Sequence, residues 1–423
     1  MTDYRDHIAW AQAQDRHDAL AAYREQFHFP LDTQGTKTIY LAGNSLGLQP
    51  VRAGLYVVEE LEDWAKFGVE GHFHGRRPWM PYHEQLTGLS GRLVGAGETE
   101  VVCMNTLTVN LHLLMVSFYR PAGTRTRILI EKPAFPSDRY AVVSQLRFHG
   151  LDPAEHLIEI APRANEHHLR DEDIADTIEQ HGREIALILL PGVQYYSGQV
   201  LDMAAITKLA RQQGCKVGFD LAHAAGNIEL ALHDWNVDFA AWCTYKYLNA
   251  GPGAIAGAYV HERYASDKSL PRFAGWWGHD KSSRFRMGPD FNPIPGAEGW
   301  QISNPPILSM APVLASLEIF DQVGMQALLN KSNALTGYLA WLIAQKLDRH
   351  IEVITPEHAR GCQLSLRLRQ PELGKDTQEK LVERGVLCDW REPDVIRVAP
   401  VPLYNRYTDV YHFVQILEEL LTA

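Results

Sequence analysis

Short apolar runs alternate with amphipathic stretches between about residue 40 and residue 300. Four of the runs lie at residues 127–130, 185–190, 216–219 and 239–243, and they are apolar apart from their first residues Arg127 and Lys216. Continuous runs of this length are typical of strands buried on both faces, as in a parallel sheet. Residues 203–213, between two of these runs, have helical spacing and end near a glycine. This alternation predicts βαβ units, and therefore an α/β fold whose sheet is mainly parallel.

The pattern changes after Pro305 and Pro306. Residues 309–347 have helical spacing with one break, and a last amphipathic helix is predicted at residues 410–421. Between them lie strand-like pieces at residues 352–354, 363–368 and 395–398. Helices followed by several short strands predict a smaller α+β domain at this end of the chain.

The first residues of the chain are polar and mixed, with helical spacing at residues 11–27. We therefore expect three parts. Residues 1–40 form an N-terminal segment that packs with the small domain, residues 41–308 form the large domain, and residues 309–423 form the small domain. A chain of 423 residues with 46% hydrophobic residues is long and apolar enough for such a division.

Charge and hydropathy narrow the classes of partner. The net charge is −11 and the longest basic runs are short pairs such as Arg76 and Arg77, so we expect no nucleic-acid partner. No stretch approaches the ~18–20 uninterrupted apolar residues of a membrane span. The first five residues lack the apolar core of a signal peptide, so we expect a cytoplasmic protein without a membrane partner.

Neither a disulfide framework nor a metal site is expected. The cysteines are odd in number and form no C-x-x-C motif, which predicts buried structural thiols at Cys103, Cys215, Cys243, Cys362 and Cys388. His72, His74 and the nearby His83 have plausible ligand spacing. The adjacent Phe73 and the two arginines that follow make this a poor cation site, so we expect no metal.

The most informative residues are an aspartate and a lysine at the ends of two predicted strands. Asp220 follows the third apolar run, where open α/β sheets place ligand-binding residues, and Lys246 follows the fourth. Pyridoxal 5′-phosphate (PLP) needs a lysine to hold it covalently and an acid to keep its pyridine nitrogen protonated. The plain structural alternative is a surface lysine and an aspartate that caps a helix, and spacing alone leaves both readings open.

Two further segments favour the cofactor reading. Residues 105–110 contain Thr108 and open a helix-like stretch, and hydroxyls and N–H groups at a helix N-terminus suit a phosphate. The alternative there is simple N-capping. Residues 133–138 follow another strand, where Phe135 offers an aromatic face to a flat ring and Asp138 offers a polar contact. The alternative for Phe135 is core packing.

Nine segments, in order along the chain, resemble the kynureninase family of PLP-dependent enzymes, whose fold is that of aspartate aminotransferase (fold type I). They are LAGNSLGLQP (41–50), GRRPW (75–79), NTLTVNLHLL (105–114), FPSDRYA (135–141), GFDLAHAAGN (218–227), WCTYKYLNAGPG (242–253), GWWGH (275–279), ISNPPIL (302–308) and IRVAPVPLYN (396–405). One of these alone is weak; the ordered series is specific. It begins at about residue 40 and continues through the C-terminal region.

The resemblance implies roles for individual residues. The catalytic pair would be Lys246, as the Schiff-base lysine, and Tyr245. The PLP-binding residues would be Leu107, Thr108, Phe135, Pro136, Ser137, Asp138, Asp220, His223, Tyr245, Lys246, Trp276 and Asn304. The substrate-binding residues would be Ser45, His72, Asn304 and Arg397, with Arg397 gripping the α-carboxylate as a planar fork. The family's site lies at a homodimer interface, so Trp276 and Asn304 would come from the partner chain.

The implied reaction is hydrolysis of the Cβ–Cγ bond of L-kynurenine or 3-hydroxy-L-kynurenine, giving (3-hydroxy)anthranilate and L-alanine, in tryptophan degradation or NAD biosynthesis. Tyr245 would donate a proton or only contact the phosphate, and both roles stay open. Because Ser45, His72 and Asn304 all form hydrogen bonds, we expect the 3-hydroxy substrate to be preferred. The chain departs from the family at Pro191, where animal members carry a small polar residue, so we assign it no cofactor contact.

Two other readings remain. A cysteine desulfurase or selenocysteine lyase of the same fold would need a mobile catalytic cysteine, and Cys362 and Cys388 lie in the right region but in apolar, strand-like contexts. A regulator that only binds the cofactor would not need a substrate clamp. The presence of Lys246, Asp220 and Arg397 together argues against that reading.

Overall fold

The computed structural model describes residues 4–422. The expectation of no signal peptide rests largely on Met1, Thr2 and Asp3, which lie outside the described residues, as does Ala423.

A seven-stranded sheet forms the centre of the larger part of the molecule. In chain order its strands are β1 (Val101–Cys103), β2 (Arg127–Glu131), β3 (Leu157–Ile160), β4 (Ile185–Pro191), β5 (Lys216–Asp220), β6 (Phe239–Trp242) and β7 (Gly257–Val260). They lie in the order β1-β7-β6-β5-β4-β2-β3, and β7 is antiparallel to both of its neighbours. The predicted mainly parallel sheet is confirmed, and each of the four predicted strands ends within one residue of its predicted position.

The strands are continuously apolar because both faces of the sheet are covered. Ile128 and Ile130 of β2 pack in one buried cluster with residues of the helices that follow β1 and β2. Leu129, between them, points to the opposite face and joins a second cluster that includes Ile178 and Ile206. Side chains alternate across a strand, so a strand with helices on both faces needs apolar residues at every position.

Twelve α-helices are described. They are α1 (Ile8–His17), α2 (Val51–Phe67), α3 (Glu84–Val94), α4 (Leu107–Phe118), α5 (Pro136–Phe148), α6 (Pro153–His156), α7 (Asp171–His181), α8 (Met203–Gln212), α9 (Ile307–Val323), α10 (Met325–Lys346), α11 (Gly374–Glu383) and α12 (Tyr407–Thr422). The predicted break in the long C-terminal helical region falls at Gly324, whose φ of 76° lies in a region that favours glycine.

The C-terminal region carries its own antiparallel sheet. Its strands are β8 (Ile351–Val353), β9 (Leu364–Leu368), β10 (Asp389–Arg391) and β11 (Val395–Val398), in the order β8-β9-β11-β10. Residues from α10, α12 and this sheet share a third buried cluster. In the described part of the chain, no single helix is both long and apolar enough to cross a membrane. Helices α9 and α10 together have the necessary length and composition, but the chain bends by 83° between them.

The N-terminal segment packs against the C-terminal region. Ile39–Tyr40 pairs in parallel with Val386–Leu387, and the Lys331 ammonium lies 2.7 Å from the Asp18 carboxylate, both side chains being almost fully buried. The helix expected over residues 11–27 is interrupted after His17 and resumes as a 3-10 helix over Ala21–Gln26. At the break, the Asp18 carboxylate accepts a bond from the Leu20 N–H at 2.9 Å, and this local bond competes with continuation of the α-helix.

The buried Asp18–Lys331 pair gives a stability prediction. Asp18→Ala removes the carboxylate that pairs directly with the buried Lys331 ammonium, so it should lower the free energy of unfolding by about 3–5 kcal/mol. The double variant Asp18→Ala/Lys331→Met removes both charges and should recover much of that loss. Urea denaturation of the variants measures both effects. A loss below about 1 kcal/mol for Asp18→Ala would show that the pair behaves as an exposed one.

Candidate active site

One edge of the large sheet gathers the polar residues that end its strands. Glu131 ends β2, Pro191 ends β4 and Asp220 ends β5, while Lys246 lies in the segment after β6. Since these strands are parallel, their carboxyl ends meet at the same edge. All four residues line one cavity of about 170 Å³. The sheet topology therefore brings together the lysine and aspartate singled out in the sequence.

Lys246 contacts a neutral histidine. Its Nζ lies 2.9 Å from Nε2 of His223, which is buried. Burial, and secondarily the nearby ammonium, hold the pKa of His223 well below its usual range, so the imidazole accepts the hydrogen bond from Lys246. The Lys246 Nζ also lies 5.9 Å from the ring centroids of both Phe135 and Tyr245. The amine thus points into the cavity between two aromatic rings.

Three carboxyl groups line the same cavity as this amine: the buried Glu131 and Asp220 and the half-buried Asp138. Burial raises the pKa of Asp220, of Asp138 and of Glu131, the last to about 8. The neighbouring Asp220 raises the pKa of Asp138 further. Asp220 itself accepts a hydrogen bond from the Ala222 N–H at 2.7 Å. Asp138 is therefore the carboxyl of this pair that holds a proton more readily. This leaves Asp220 as the acceptor for a cationic N–H group.

Two helices begin beside the carboxyl groups. Thr106 is the N-cap of α4 but its side chain makes no capping bond, so the N-capping alternative does not describe this turn. The Thr108 hydroxyl instead pairs with that of Ser137, in the first turn of α5, at 2.8 Å. Leu107 and Thr108 open α4 and, with Ser137, line the cavity. Helix N-termini and hydroxyls together favour an anion.

Phe135 borders the cavity rather than filling the core. Its side chain is 42% exposed, and its ring meets that of Tyr195 edge-on at 5.3 Å between centroids. The core-packing alternative for Phe135 is therefore wrong in this chain. Pro136 follows it as the first residue of α5, so the aromatic face is held at a fixed helix start.

Arg397 lies on β11, at the side of the site formed by the C-terminal region. It is 1% exposed, and burial lowers the pKa of its guanidinium. Its Nη1 donates to the backbone oxygen of Tyr195 at 2.5 Å, and its Nη2 pairs with the Asp389 carboxylate. Tyr195 lines the cavity, so this bond connects Arg397 to the cavity wall.

Six of the expected site residues do not line the cavity in the single chain: Ser45, His72, Pro136, Trp276, Asn304 and Arg397. His72 packs edge-on against Trp79 at 5.3 Å and its Nδ1 lies 2.9 Å from the Val69 oxygen. Trp276 is 40% exposed and Asn304 is exposed. The half-buried Ser45 donates its N–H to Ala42.

Four further residues line the cavity without having been expected there from the sequence: Glu131, Val193, Tyr195 and Ala222. Glu131 carries the same signal as Asp220, an acidic residue at the end of an apolar run, so it could have been found. Tyr195 carries no such signal, because its place depends on the turn after β4. Pro191 lines the cavity but supplies neither an N–H nor a hydroxyl.

All five cysteines are buried free thiols. Burial raises the pKa of Cys362 and of Cys388, each to about 12. A nucleophilic cysteine requires an accessible thiol with a lowered pKa. The environment of both thiols therefore disfavours the cysteine desulfurase reading.

Solved structures share the architecture at low sequence identity. A C-DES mutant with glycine covalently linked to its PLP cofactor superposes with a TM-score of 0.76 at 17% identity, covering 94% of this chain and 99% of that one. The cysteine desulfurase CsdA from Escherichia coli superposes with a TM-score of 0.75 at 16% identity, covering 95% and 98%. The fold is that of the PLP-dependent enzymes of fold type I.

Closer relatives specify the family. The kynureninases of Myxococcus xanthus and Koribacter versatilis are each 58% identical to the chain, over 98% and 95% of it and 97% and 95% of their own lengths. That of Xanthomonas campestris is 55% identical over 100% of both chains. The model of the kynureninase C-terminal domain matches residues 328–417. The chain belongs to the kynureninase family.

The buried Glu131 gives a pH prediction. With a folded-state pKa of about 8, against about 4.3 in an unfolded chain, it binds its proton more tightly when folded. It therefore lowers stability progressively as the pH rises between these two values. Glu131→Gln should make the stability of the cofactor-free protein fall less steeply over this interval and raise it near pH 8 relative to wild type.

Denaturant unfolding across that interval tests this, with the exposed Glu155→Gln as the matched control. Parallel profiles for wild type and Glu131→Gln would mean that Glu131 is ionised in the folded protein.

Proposed function

We propose that the protein is a PLP-dependent kynureninase that hydrolyses the Cβ–Cγ bond of L-kynurenine, of 3-hydroxy-L-kynurenine, or of both. The products are (3-hydroxy)anthranilate and L-alanine. The observation that carries the proposal is the Lys246 amine, 2.9 Å from a neutral His223 and in one cavity with Asp220, in a chain of this family. A small-molecule amino acid is the substrate class.

The cavity residues fit the cofactor. When bound, PLP supplies a protonated pyridine ring that draws electrons from the substrate carbons. Asp220 would accept the ring N–H, with Asp138 and His223 completing the polar surroundings, and Phe135 would offer its aromatic face to the ring. The start of α4 at Leu107 and Thr108, and that of α5 at Pro136 and Ser137, would hold the phosphate. The unpartnered Nδ1 of His223 remains available to a bound group.

Three side chains act on the substrate. Lys246 takes the proton from the substrate Cα and returns it later, because its amine faces the cavity. Burial raises the pKa of Tyr245, so its phenol stays protonated and donates to a developing anion or to the phosphate. Arg397 holds the α-carboxylate through two charge-assisted bonds.

We further propose a homodimer whose active sites lie at the subunit interface. Trp276 and Asn304 then reach the partner's cavity, while Ser45 and His72 complete the pocket for the aryl ketone. An apolar surface supports this arrangement: α2 exposes Leu55, Val58 and Trp64, and Trp64 borders an apolar groove with Trp79 and Leu308. Exposed apolar patches of this kind are typical of interfaces between chains.

The division of the chain is also a proposal: residues 41–308 form the PLP-binding domain, and residues 1–40 pack with the small domain at residues 309–423. The parallel pairing of Ile39–Tyr40 with Val386–Leu387 supports it. We place the enzyme in the cytoplasm, in tryptophan degradation or NAD biosynthesis. Five buried free thiols suit a reducing compartment.

Replacing the lysine tests the proposed chemistry. Lys246→Ala should lower turnover of L-kynurenine by at least about a thousandfold, since it removes both the covalent anchor and the general base. The variant should fold, because the side chain points into a cavity, and it should lose the visible absorbance of the PLP-loaded enzyme. The exposed Lys208→Ala is the matched control. Turnover by Lys246→Ala without added amine would overturn the assignment.

Mixing inactive variants tests the shared site. Lys246→Ala and Asn304→Ala, each weak alone, should together recover about a quarter of wild-type activity after subunit exchange, because half of the dimers are mixed and each holds one complete site. Lys246→Ala with Asp220→Ala is the control, since both residues serve the same chain's cavity. Equal activity in the two mixtures would place Asn304 outside the partner's site.

The aryl pocket gives a prediction of specificity. Polar groups in Ser45, His72 and Asn304 are left unpaired by an unsubstituted ring, so 3-hydroxy-L-kynurenine should have the higher kcat/KM by roughly tenfold. Asn304→Ala and His72→Ala should reduce this ratio. The measurement is kcat/KM for both substrates in all three enzymes. A wild-type preference for L-kynurenine, or a ratio unchanged in both variants, contradicts it.

A further inference from the structure

An aspartate with no role in the reaction described above lies directly opposite Arg397. Asp389 on β10 and Arg397 on β11 are register partners in the antiparallel sheet. The Asp389 carboxylate pairs with Nη2 of Arg397 and also lies 3.0 Å from Nη2 of Arg391. Its side chain is 13% exposed, so the three charges form a mostly buried row.

We propose that Asp389 is a positioning residue for substrate binding, which fixes the Arg397 guanidinium in the orientation that receives the α-carboxylate. This rests on the proposed function, in which Arg397 binds that carboxylate. Asp389 itself does not touch the substrate.

The bonding of Arg397 supports this role. A guanidinium has five N–H groups in one plane. In Arg397, Nη2 is paired with Asp389 and Nη1 with the Tyr195 oxygen, while the buried Nε has no partner among the described residues. Two anchors on different elements fix the plane, and the remaining N–H groups are left for a ligand. A buried cation with an unused donor is costly unless an anion completes its contacts.

The local charge fits one carboxylate. Arg391 and Arg397 contribute two positive charges and Asp389 one negative charge, so the row carries a net charge of +1. Arg391 is partly exposed. Its positive charge therefore balances the negative charge of Asp389 from the solvent side. The positive charge of the buried Arg397 is then available to bind the substrate carboxylate.

The opposite role for Asp389 would be that of a competitor, which occupies Arg397 until the substrate displaces it. Its position on a strand argues against this. The register pairing keeps the Asp389 and Arg397 backbones side by side, so the carboxylate stays within reach whether or not a ligand is bound. The two roles predict opposite effects on substrate affinity.

The test is Asp389→Asn in the PLP-loaded enzyme. We expect KM for L-kynurenine to rise at least about tenfold, because an amide replaces a charge-assisted partner of Arg397. We expect kcat to change far less, and the visible spectrum of bound PLP to be unchanged. The decarboxylated amine of L-kynurenine should bind wild type and variant equally, which a general structural defect would not produce.

Asp394→Asn is the matched control. Asp394 is a buried aspartate next to β11, and it pairs with Arg367 at 2.7 Å. This variant should leave KM for L-kynurenine close to the wild-type value. Should Asp389→Asn fail to fold, Asp389→Glu keeps the charge but displaces it by one methylene, and the same rise in KM with unchanged binding of the amine is expected.

Arg397→Lys separates this inference from the proposed function. If Arg397→Lys leaves KM for L-kynurenine unchanged, the proposed carboxylate clamp is wrong. If Arg397→Lys raises KM while the Asp389 variants leave it unchanged or lower it, the clamp stands and the positioning role of Asp389 is overturned.

Discussion

The site depends on burying three carboxyl groups beside one lysine at the edge of a parallel sheet. Desolvation disfavours charge on Glu131, Asp138 and Asp220 alike, and their mutual proximity makes simultaneous ionisation costly. A proton on Glu131 or on Asp138 relieves this cost, and Asp220 can then accept a hydrogen bond from a cationic ring. The same burial keeps His223 neutral. A protonated pyridine and its phosphate would therefore complete this arrangement of charges.

The fold supplies this arrangement through strand direction. Parallel strands deliver their last residues to one edge, and the helices that follow β1 and β2 begin there with free N-termini. C-DES and the cysteine desulfurase CsdA have the same architecture, and their superposition at 17% and 16% identity reflects fold alone. The chemistry differs because the site residues differ. Here Cys362 and Cys388 are buried, and Arg397 reaches the cavity wall through Tyr195.

Much of this was accessible from the sequence, for physical reasons. Strands buried on both faces are apolar along most of their length. Their runs, and the polar residues Asp220 and Lys246 that end or follow them, can therefore be recognised in the sequence. Glu131 carries the same signal as Asp220, an acidic residue at the end of an apolar run, and could have been found in the same way. The expected helix is interrupted after His17 because the Asp18 side chain bonds the local backbone and pairs with the distant Lys331. The Asp389–Arg397 pair depends on strand register, which short-range patterns do not determine.

The central claim is that Lys246, facing the buried carboxyls, carries the cofactor. Borohydride reduction of the PLP-loaded enzyme fixes the cofactor on its lysine, and peptide mapping by mass spectrometry then locates it. The account predicts one modified residue, Lys246, together with loss of anthranilate formation from L-kynurenine in proportion to the modification. Modification of a different lysine, or anthranilate formation that survives complete modification of Lys246, would contradict it.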